Sequence, residues 1–339
     1  MKTKATLGEF EIIERFFAPL STGEPGALDL TDDAAILSVT PGCSLVVSTD
    51  TIIEGAHFLP RDTAADIAAK GLAVAFSDIA AMGAAATSYT LSLSLPRMWE
   101  NEQIERWLRA FAEELRVEQQ AMGVALVGGD TVATSGPLSL TFTVFGMIRT
   151  GRELRRSTAR PGDLVYVSGH IGDGALGLSA LTGDLDTLDE VQREALALRF
   201  RRPRPRLALG SHLSGVAHAA ADVSDGLVAD LGHICDASCV RATIDANRIP
   251  LSEPARAALR ARPARMAQIL SGGDDYELVF TAPPEAAEDI AKIATKVDLA
   301  LTAIGRIDGR KTLDDGPPVL VVGEDGRAFD SSVGGFRHF

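Results

Sequence analysis

"LVYVSGHIGDGALGLSALTG" (residues 164–183) decides the fold. A β-branched run gives way to Gly172-Asp173-Gly174-Ala175-Leu176-Gly177 and then to an apolar stretch at helical spacing. Strand, G-x-G-x-x-G and helix in that order make a dinucleotide-binding fingerprint. Two features oppose it. The strand lies past the middle of the chain, and no βαβ unit ending in an acidic residue follows. The three glycines therefore read as a turn that packs a helix closely against its neighbours. No G-x-x-x-x-G-K-[ST] occurs either, so any nucleotide phosphate has to be held by other means.

Upstream of this stretch the texture changes. "RTGRELRRSTARPGD" (149–163) is polar and basic, and its Pro161-Gly162 marks a turn. A chain of 339 residues fits about two domains. We place the boundary here, giving an N-terminal domain over 1–150 and a C-terminal domain over 151–339. In the first, "GEFEIIERFFAPL" (8–20) predicts a short helix and "SLVVSTDTII" (44–53) a strand ending at a polar tip. "TAADIAAKGLAVAFSDIAAMGA" (63–84) predicts a long buried helix. "ENEQIERWLRAFAEELRVE" (100–118) sets Ile104, Trp107, Leu108, Phe111 and Leu115 on one helical stripe. "YTLSLSLP" (89–96) and "PLSLTFTVFGMI" (137–148) alternate as half-buried strands, and "VALVGGDT" (124–131) predicts a strand followed by a Gly turn. In the second domain, "RFRRPRPRLALGSHL" (199–213) predicts a basic, proline-broken loop and then a helix. "LVADLGHICDAS" (227–238) predicts a helix, and "ILSGGDDYELVFTA" (269–282) a Gly turn running into a strand. Alternating helices and strands give an α/β or α+β class. A weak internal echo pairs "SDIAAMG" and "VGGDT" with "SDGLVADLG" and "SGGDDYELVF", as if both halves followed one plan.

The composition narrows the function. A hydrophobic share of 46% beside 23% charged residues is that of a soluble globular chain. The formal net charge of −13 argues against general nucleic-acid binding, which needs basic patches. Three cysteines, Cys43, Cys235 and Cys239, suit free thiols in a reducing cytoplasm. The first residues carry two lysines with no apolar run behind them, so no signal peptide is expected, and the charges in 64–86 disfavour a membrane span. His233, Cys235 and Cys239 lack the second ligand pair a structural zinc needs. No G-x-S-x-G elbow supports a Ser/His/Asp triad.

What remains is a recurrence of carboxylates: Asp32-Asp33, Asp50 in "STDT", Asp78 in "FSDIA", Asp130 in "GGDT", Asp222 and Asp225 in "DVSDG", and Asp274-Asp275 in "GGDDYE". Each falls at an expected strand end, Gly turn or helix start, where a single Asp commonly serves as a cap or turn residue. Their number suits Mg²⁺, a hard cation that takes one or two carboxylates and completes its shell with water and phosphate oxygens. In that scheme ATP is bound through Mg²⁺ ions and the N–H groups of Gly turns. Arg155, Arg156 and Arg160 are the candidate cations for the γ-phosphate. "DVSDG" (222–226) reads as a helix start whose capping geometry also aims Asp222 and Asp225 at a cation.

These motifs together resemble the thiamine-monophosphate kinase family, within the wider aminoimidazole-ribonucleotide-synthetase-like superfamily. The stretches that carry the resemblance are "VVSTDTIIEGAHF", "AVAFSDIAAMGA", "LVGGDT", "RSTARPGDLVYVSG", "DVSDGLVADLGHI", "SGGDDYELVFT" and "GGFRHF". The resemblance implies two α/β domains, the N-terminal one binding Mg²⁺ and ATP and forming a β-barrel across a homodimer, the C-terminal one completing the active site. It implies ATP-dependent phosphorylation of thiamine monophosphate to thiamine diphosphate, the last step of thiamine diphosphate biosynthesis, with several Mg²⁺ ions. Carried over residue by residue, the Mg²⁺ ligands fall on Asp33, Ser48, Thr49, Asp50, Asp78, Asp130, Asp222 and Asp225. ATP contacts fall on Gly129, Asp130, Arg156 and Ser224, and substrate contacts on His57, Asp274 and Phe336. Asp222, Asp225 and Arg156 are the expected catalytic groups. Other readings are a different ATP-using member of the superfamily, a non-catalytic Mg-nucleotide sensor, and a phosphatase.

Overall fold

The computed structural model describes residues 8–310 and 316–323. The chain divides into two compact units, one of residues up to 79 with 85–150, the other of 80–84 with the chain from 151 onward.

The first unit is built on a four-stranded sheet: β1 (Cys43–Ile53), β2 (Ala85–Pro96), β3 (Ala125–Thr134) and β4 (Ser139–Arg149), in the order β1-β4-β2-β3. β4 is antiparallel to β1 and β2, and β3 runs parallel to β2. The short α1 (Glu9–Ile12) leads through a π-turn and 3-10 turns to residue 30. The helices α2 (Ala64–Ala81) and α3 (Asn101–Met122) cover one sheet face. Strand alternation explains that face, because Leu140, Phe142 and Val144 of β4 and Tyr89, Leu91 and Leu93 of β2 are all buried. Tyr89 meets Phe76 of α2 edge-on, with ring centroids 6.3 Å apart, and its hydroxyl donates to Gln119 of α3 at 3.1 Å. The opposite face carries hydroxyls. Thr49 and Thr51 hydrogen-bond Thr143 and Thr141 across the strands at 3.0 and 2.8 Å. In the single chain this sheet is open, with β1 and β3 as its edges.

The second unit contains a six-stranded sheet of order β10-β7-β9-β5-β8-β6. Its strands are β5 (Leu164–Ser168), β6 (Ala219–Asp222), β7 (Val240–Asp245), β8 (Leu278–Ala282), β9 (Leu301–Arg310) and β10 (Val319–Val322). Only β10 and β7 pair in parallel. Among the described residues seven helices accompany it: α4 (Asp173–Thr182), α5 (Glu190–Arg201), α6 (Leu207–Leu213), α7 (Leu227–Ser238), α8 (Glu253–Ala261), α9 (Arg265–Ser271) and α10 (Ala287–Lys296). One core joins Val165, Val167, Leu176, Leu231, Ile269 and Val279, and a second joins Tyr166, Leu209, Leu278 and Phe280.

The glycine-rich stretch behaves as a packing turn. β5 is antiparallel to both neighbours, which is not the parallel frame of a dinucleotide fold. A Cβ at Gly174 would collide with the main chain of Asp274, so α4 can start where it does only with glycine there. The N–H groups of Gly172 and Gly174, where a pyrophosphate would sit, donate instead to the buried carboxylate of Asp275 at 2.7 and 2.9 Å.

Three local expectations are corrected. "GGDT" is no turn: β3 continues through Gly128, Gly129 and Asp130, past a register shift between Tyr89 and Thr90 of β2. Gly129 is required because a side chain there would strike the Leu91 carbonyl of the paired strand. "STDT" does not end a strand, since Asp50 lies inside β1. The internal echo also fails, because "SDIAAMG" closes α2 whereas "SDGLVADLG" opens α7.

Candidate functional site

In the first unit, alternation along β1 sends Ser48 and Asp50 to the helix side of the sheet and Thr49 to the hydroxyl face. Asp78, in the last turn of α2, meets the first two. Ser48 Oγ donates to Asp78 at 2.5 Å, and Asp50 shares a hydrogen bond with Asp78. Burial first, and the charge of Asp78 second, push the Asp50 carboxyl up to about 6. Two carboxyl groups this close, with a hydroxyl on one of them, form a hard oxygen donor set that fits Mg²⁺. Thr49 Oγ1 is bonded to Thr143 on the other face, so Thr49 reaches this cluster only through its main chain.

The same unit has a cavity of about 320 Å³ that brings together Asp33, Gly129 and Asp130. Phe10, Phe17 and Leu30 supply apolar wall, and Asp32 joins the acidic side. Asp50 and Asp130 lie on opposite edge strands of the sheet, three strand spacings apart, which is roughly 14 Å. His57 follows β1 in a tight turn closed by a 2.9 Å bond from its own N–H to the Ile53 carbonyl. The Ile53 N–H donates to His57 Nδ1 at 3.1 Å, which places the ring proton on Nε2.

In the second unit two acidic loops are stitched together by main-chain bonds. Asp222 ends β6 opposite Leu278, and the pairing continues beyond the strands. Val223 N–H donates to Glu277 at 2.8 Å, Tyr276 N–H to Val223 at 2.9 Å, and Asp274 N–H to Ser224 at 2.9 Å. The structure thus brings Asp222, Ser224, Asp225 and Asp274 into one neighbourhood. Arg156 belongs to it electrostatically, since its charge acts on Asp230. Its loop is held by Ser238, whose Oγ donates to the Arg156 carbonyl at 2.7 Å. Arg155 is engaged by Glu153. Phe336 lies outside the described residues.

The "DVSDG" helix start is not capped as its sequence suggests. The residue before α7 is Gly226, with φ 115° and no side-chain cap. Asp230, one turn inside the helix, reaches back and accepts the N–H groups of Ser224, Asp225 and Gly226 at 3.0, 3.0 and 3.1 Å. Burial, then the charges of Asp222 and Asp225, push Asp230 up to about 7. Carboxylate oxygens of Asp225 and Asp230 and a ring nitrogen of His233 all lie within 4.8 Å of one another.

Three carboxylates organise this region through contacts that a local stretch of sequence does not reveal. Asp230 stands four residues after Gly226, the spacing at which a helical side chain returns to the first turn. Asp275 is buried and raised well above the usual carboxylate range by that burial, with the Gly172 and Gly174 N–H groups opposing the shift. Glu277 is fully buried and held by Ser168, Arg199 and Arg206. The "RFRRPRPR" arginines are the sequence signal for a buried carboxylate partner.

Comparison with known proteins agrees with this architecture. The model for "AIR synthase related protein, N-terminal domain" matches residues 31–148, and the one for "AIR synthase related protein, C-terminal domain" matches 160–315. The thiamine-monophosphate kinase of Salmonella typhimurium is 41% identical over 319 residues, covering 92% of this chain and 95% of that protein. The crystal structure of thiamine-monophosphate kinase from Stenotrophomonas maltophilia K279a superposes with a TM-score of 0.76 at 43% identity, covering 88% of this chain and 91% of that one. AaThiL complexed with AMPPCP and TMP superposes with a TM-score of 0.75 at 28% identity over the whole of both chains. The fold, both domain matches and near-full-length identity place this chain in the thiamine-monophosphate kinase family of AIR synthase related proteins.

Proposed function

We propose that this chain, a thiamine-phosphate kinase by family, transfers the γ-phosphoryl group of ATP directly to the phosphate of thiamine monophosphate. An acceptor phosphate oxygen bonds to the γ-phosphorus, the bond to the β-γ bridging oxygen breaks, and ADP leaves with thiamine diphosphate as the other product. The acceptor's second pKa is about 6, so it is already largely a dianion at neutral pH and needs no strong base. The obstacle is charge repulsion, and positioning with charge stabilisation has to overcome it.

The observation that carries this reading is the Asp50–Asp78–Ser48 cluster, a half-buried donor set of hard oxygens in a chain whose relatives are kinases. Bound Mg²⁺ would neutralise phosphate oxygens and draw donor and acceptor together. Ser48, Asp50, Asp78 and the Thr49 main chain would hold it in the first unit, with Asp33 and Asp130 in the cavity. Asp222 and Asp225 would do so in the second. Gly129 and Ser224 contact ATP, and Arg156 meets the charge developing at the γ-phosphate. His57 presents Nε2–H to an anionic substrate group, and Asp274 and Phe336 contact thiamine monophosphate. In this reading the 1–150 domain binds Mg²⁺ and ATP and mediates dimerisation, and the 151–339 domain supplies the remaining groups. The hydroxyl face and the open order of the first sheet, with β1 and β3 as its terminal strands, support a homodimer closed into a barrel. The three free thiols support a cytoplasmic location. No helix among the described residues is long and apolar enough to cross a membrane.

The test is direct. Protein, ATP, Mg²⁺ and thiamine monophosphate are mixed, and ADP and thiamine diphosphate are quantified by chromatography, with EDTA and no-acceptor controls. Equal formation of both products, abolished by EDTA, is expected. ADP without thiamine diphosphate would overturn the assignment of the acceptor.

A further inference from the structure

We infer that Asp230 is the positioning residue of the 222–226 loop, fixing the main chain that presents Ser224 and Asp225 and thereby setting how tightly that loop takes a divalent cation. The inference rests on the reading above that this loop holds a cation. Three consecutive N–H groups converge on one oxygen of Asp230, within 3.1 Å. This orients three successive peptide planes at once. Gly226, the residue before α7, has no side chain with which to hold this turn itself. Asp230 is 1% exposed, and its own N–H is bonded to Gly226 at 3.0 Å, so the acceptor is rigid on both sides. Asp222 is held differently, by its pairing with Leu278 and by the Val223-to-Glu277 bond. Loss of Asp230 therefore acts on Ser224 and Asp225 and leaves Asp222 in place.

A direct ligand role is the competing account, since Asp230 lies beside Asp225 and His233. Four variants of the full chain separate the two: Asp230→Ala, Asp230→Asn, Asp230→Glu and Asp225→Asn. Two readouts are used. One is hydrogen exchange of the 222–228 segment in metal-free protein. The other is Mn²⁺ binding by electron paramagnetic resonance, scored on the class of sites lost in Asp225→Asn. Asp230→Asn keeps an acceptor oxygen and is expected to stay near wild type in both. Asp230→Glu keeps the charge but displaces the acceptor by a methylene. It and Asp230→Ala are expected to exchange faster and to bind Mn²⁺ about 10–100-fold more weakly, the range for groups that orient metal ligands. Asp225→Asn is expected to weaken Mn²⁺ with exchange unchanged. Should Asp230→Ala fail to fold, the contrast between the Glu and Asn variants decides. Wild-type exchange and Mn²⁺ affinity in Asp230→Glu would overturn the inference. So would Asp230→Asn that keeps its protection but loses Mn²⁺, which would make Asp230 a ligand. Wild-type Mn²⁺ binding in Asp225→Asn would instead overturn the cation reading of the loop, and the inference with it.

Discussion

Asp274 holds a left-handed backbone, φ 68°, and Tyr276 two residues on does the same at φ 51°. Such conformations cost a non-glycine residue roughly 1–2 kcal/mol, and strain of this kind collects where a side chain has to be aimed. Asp274→Gly is expected to keep or raise the melting temperature while raising KM for thiamine monophosphate at least tenfold. A glycine variant with wild-type KM would take Asp274 out of substrate binding. Asp50 gives a pH prediction. Its folded value, about 6, lies above the ordinary 3.8, so between those values the native state binds more protons than the unfolded chain. The stability of metal-free protein from this group therefore falls as pH rises through that window, and Asp230 acts in the same direction up to about 7. A bound cation offsets the repulsion of the ionised form. Mg²⁺ is thus expected to raise the melting temperature more at pH 8 than at pH 5, and equal shifts would remove the carboxylate cluster from metal binding. At this scale the sequence showed which carboxylates to watch but not their tasks. Asp225 and Asp230 are the same residue type five positions apart, and only the returning helix makes one of them an acceptor for its own loop.

Elements were legible where a period was long and unbroken. α2, α3, α7 and β4 lie where their apolar spacing places them. Local sequence misleads where a glycine serves a neighbouring strand. "GGDT" looks like a turn because glycine favours turns, but Gly129 is there for the Leu91 carbonyl of the paired strand, a contact no local window contains. Strand direction was equally out of reach, since β5 and its following helix would look the same in a parallel sheet. The "GGDDYEL" segment shows what tertiary contacts add. Asp275 anchors it to the start of α4, and Glu277 anchors it to Arg199 and Arg206, with Glu277 1% exposed and the arginine side chains 24% and 16%. Asp274 is thereby gripped on its C-terminal side. Glu277→Gln removes the carboxylate that pairs with both of these partly buried guanidinium groups. It is expected to cost roughly 3–5 kcal/mol, the range for breaking a buried ion pair from one side. A urea melt measures this, and a loss below 1 kcal/mol would show that the two arginines find water or other acceptors.

For the whole molecule, the first sheet poses a question that one chain leaves open. The resemblance assigns Mg²⁺ to both Asp50 and Asp130, yet β1 and β3 are opposite edges of the sheet, roughly 14 Å apart across it. One ion reaches its ligands at about 2.1 Å, so a single chain cannot bring both side chains to the same ion. A second copy can, if edge β1 of one protomer meets edge β3 of the other, and that meeting is what closing two open sheets into a barrel requires. The hypothesis is that each cation cluster is completed across the homodimer. Its test is complementation between two inactive variants, Asp50→Asn and Asp130→Asn, co-expressed with different tags and purified as the mixed dimer. If each site takes Asp50 from one protomer and Asp130 from its partner, the mixed dimer has one site with both substitutions and one with neither. Kinase activity per dimer should then return to about half of wild type from two preparations that are each inactive. If both residues serve the site of their own chain, every site in the mixed dimer carries one substitution and the mixture stays inactive. Sedimentation of each variant alone checks that the dimer persists, so that a silent mixture counts against the shared cluster and not against assembly.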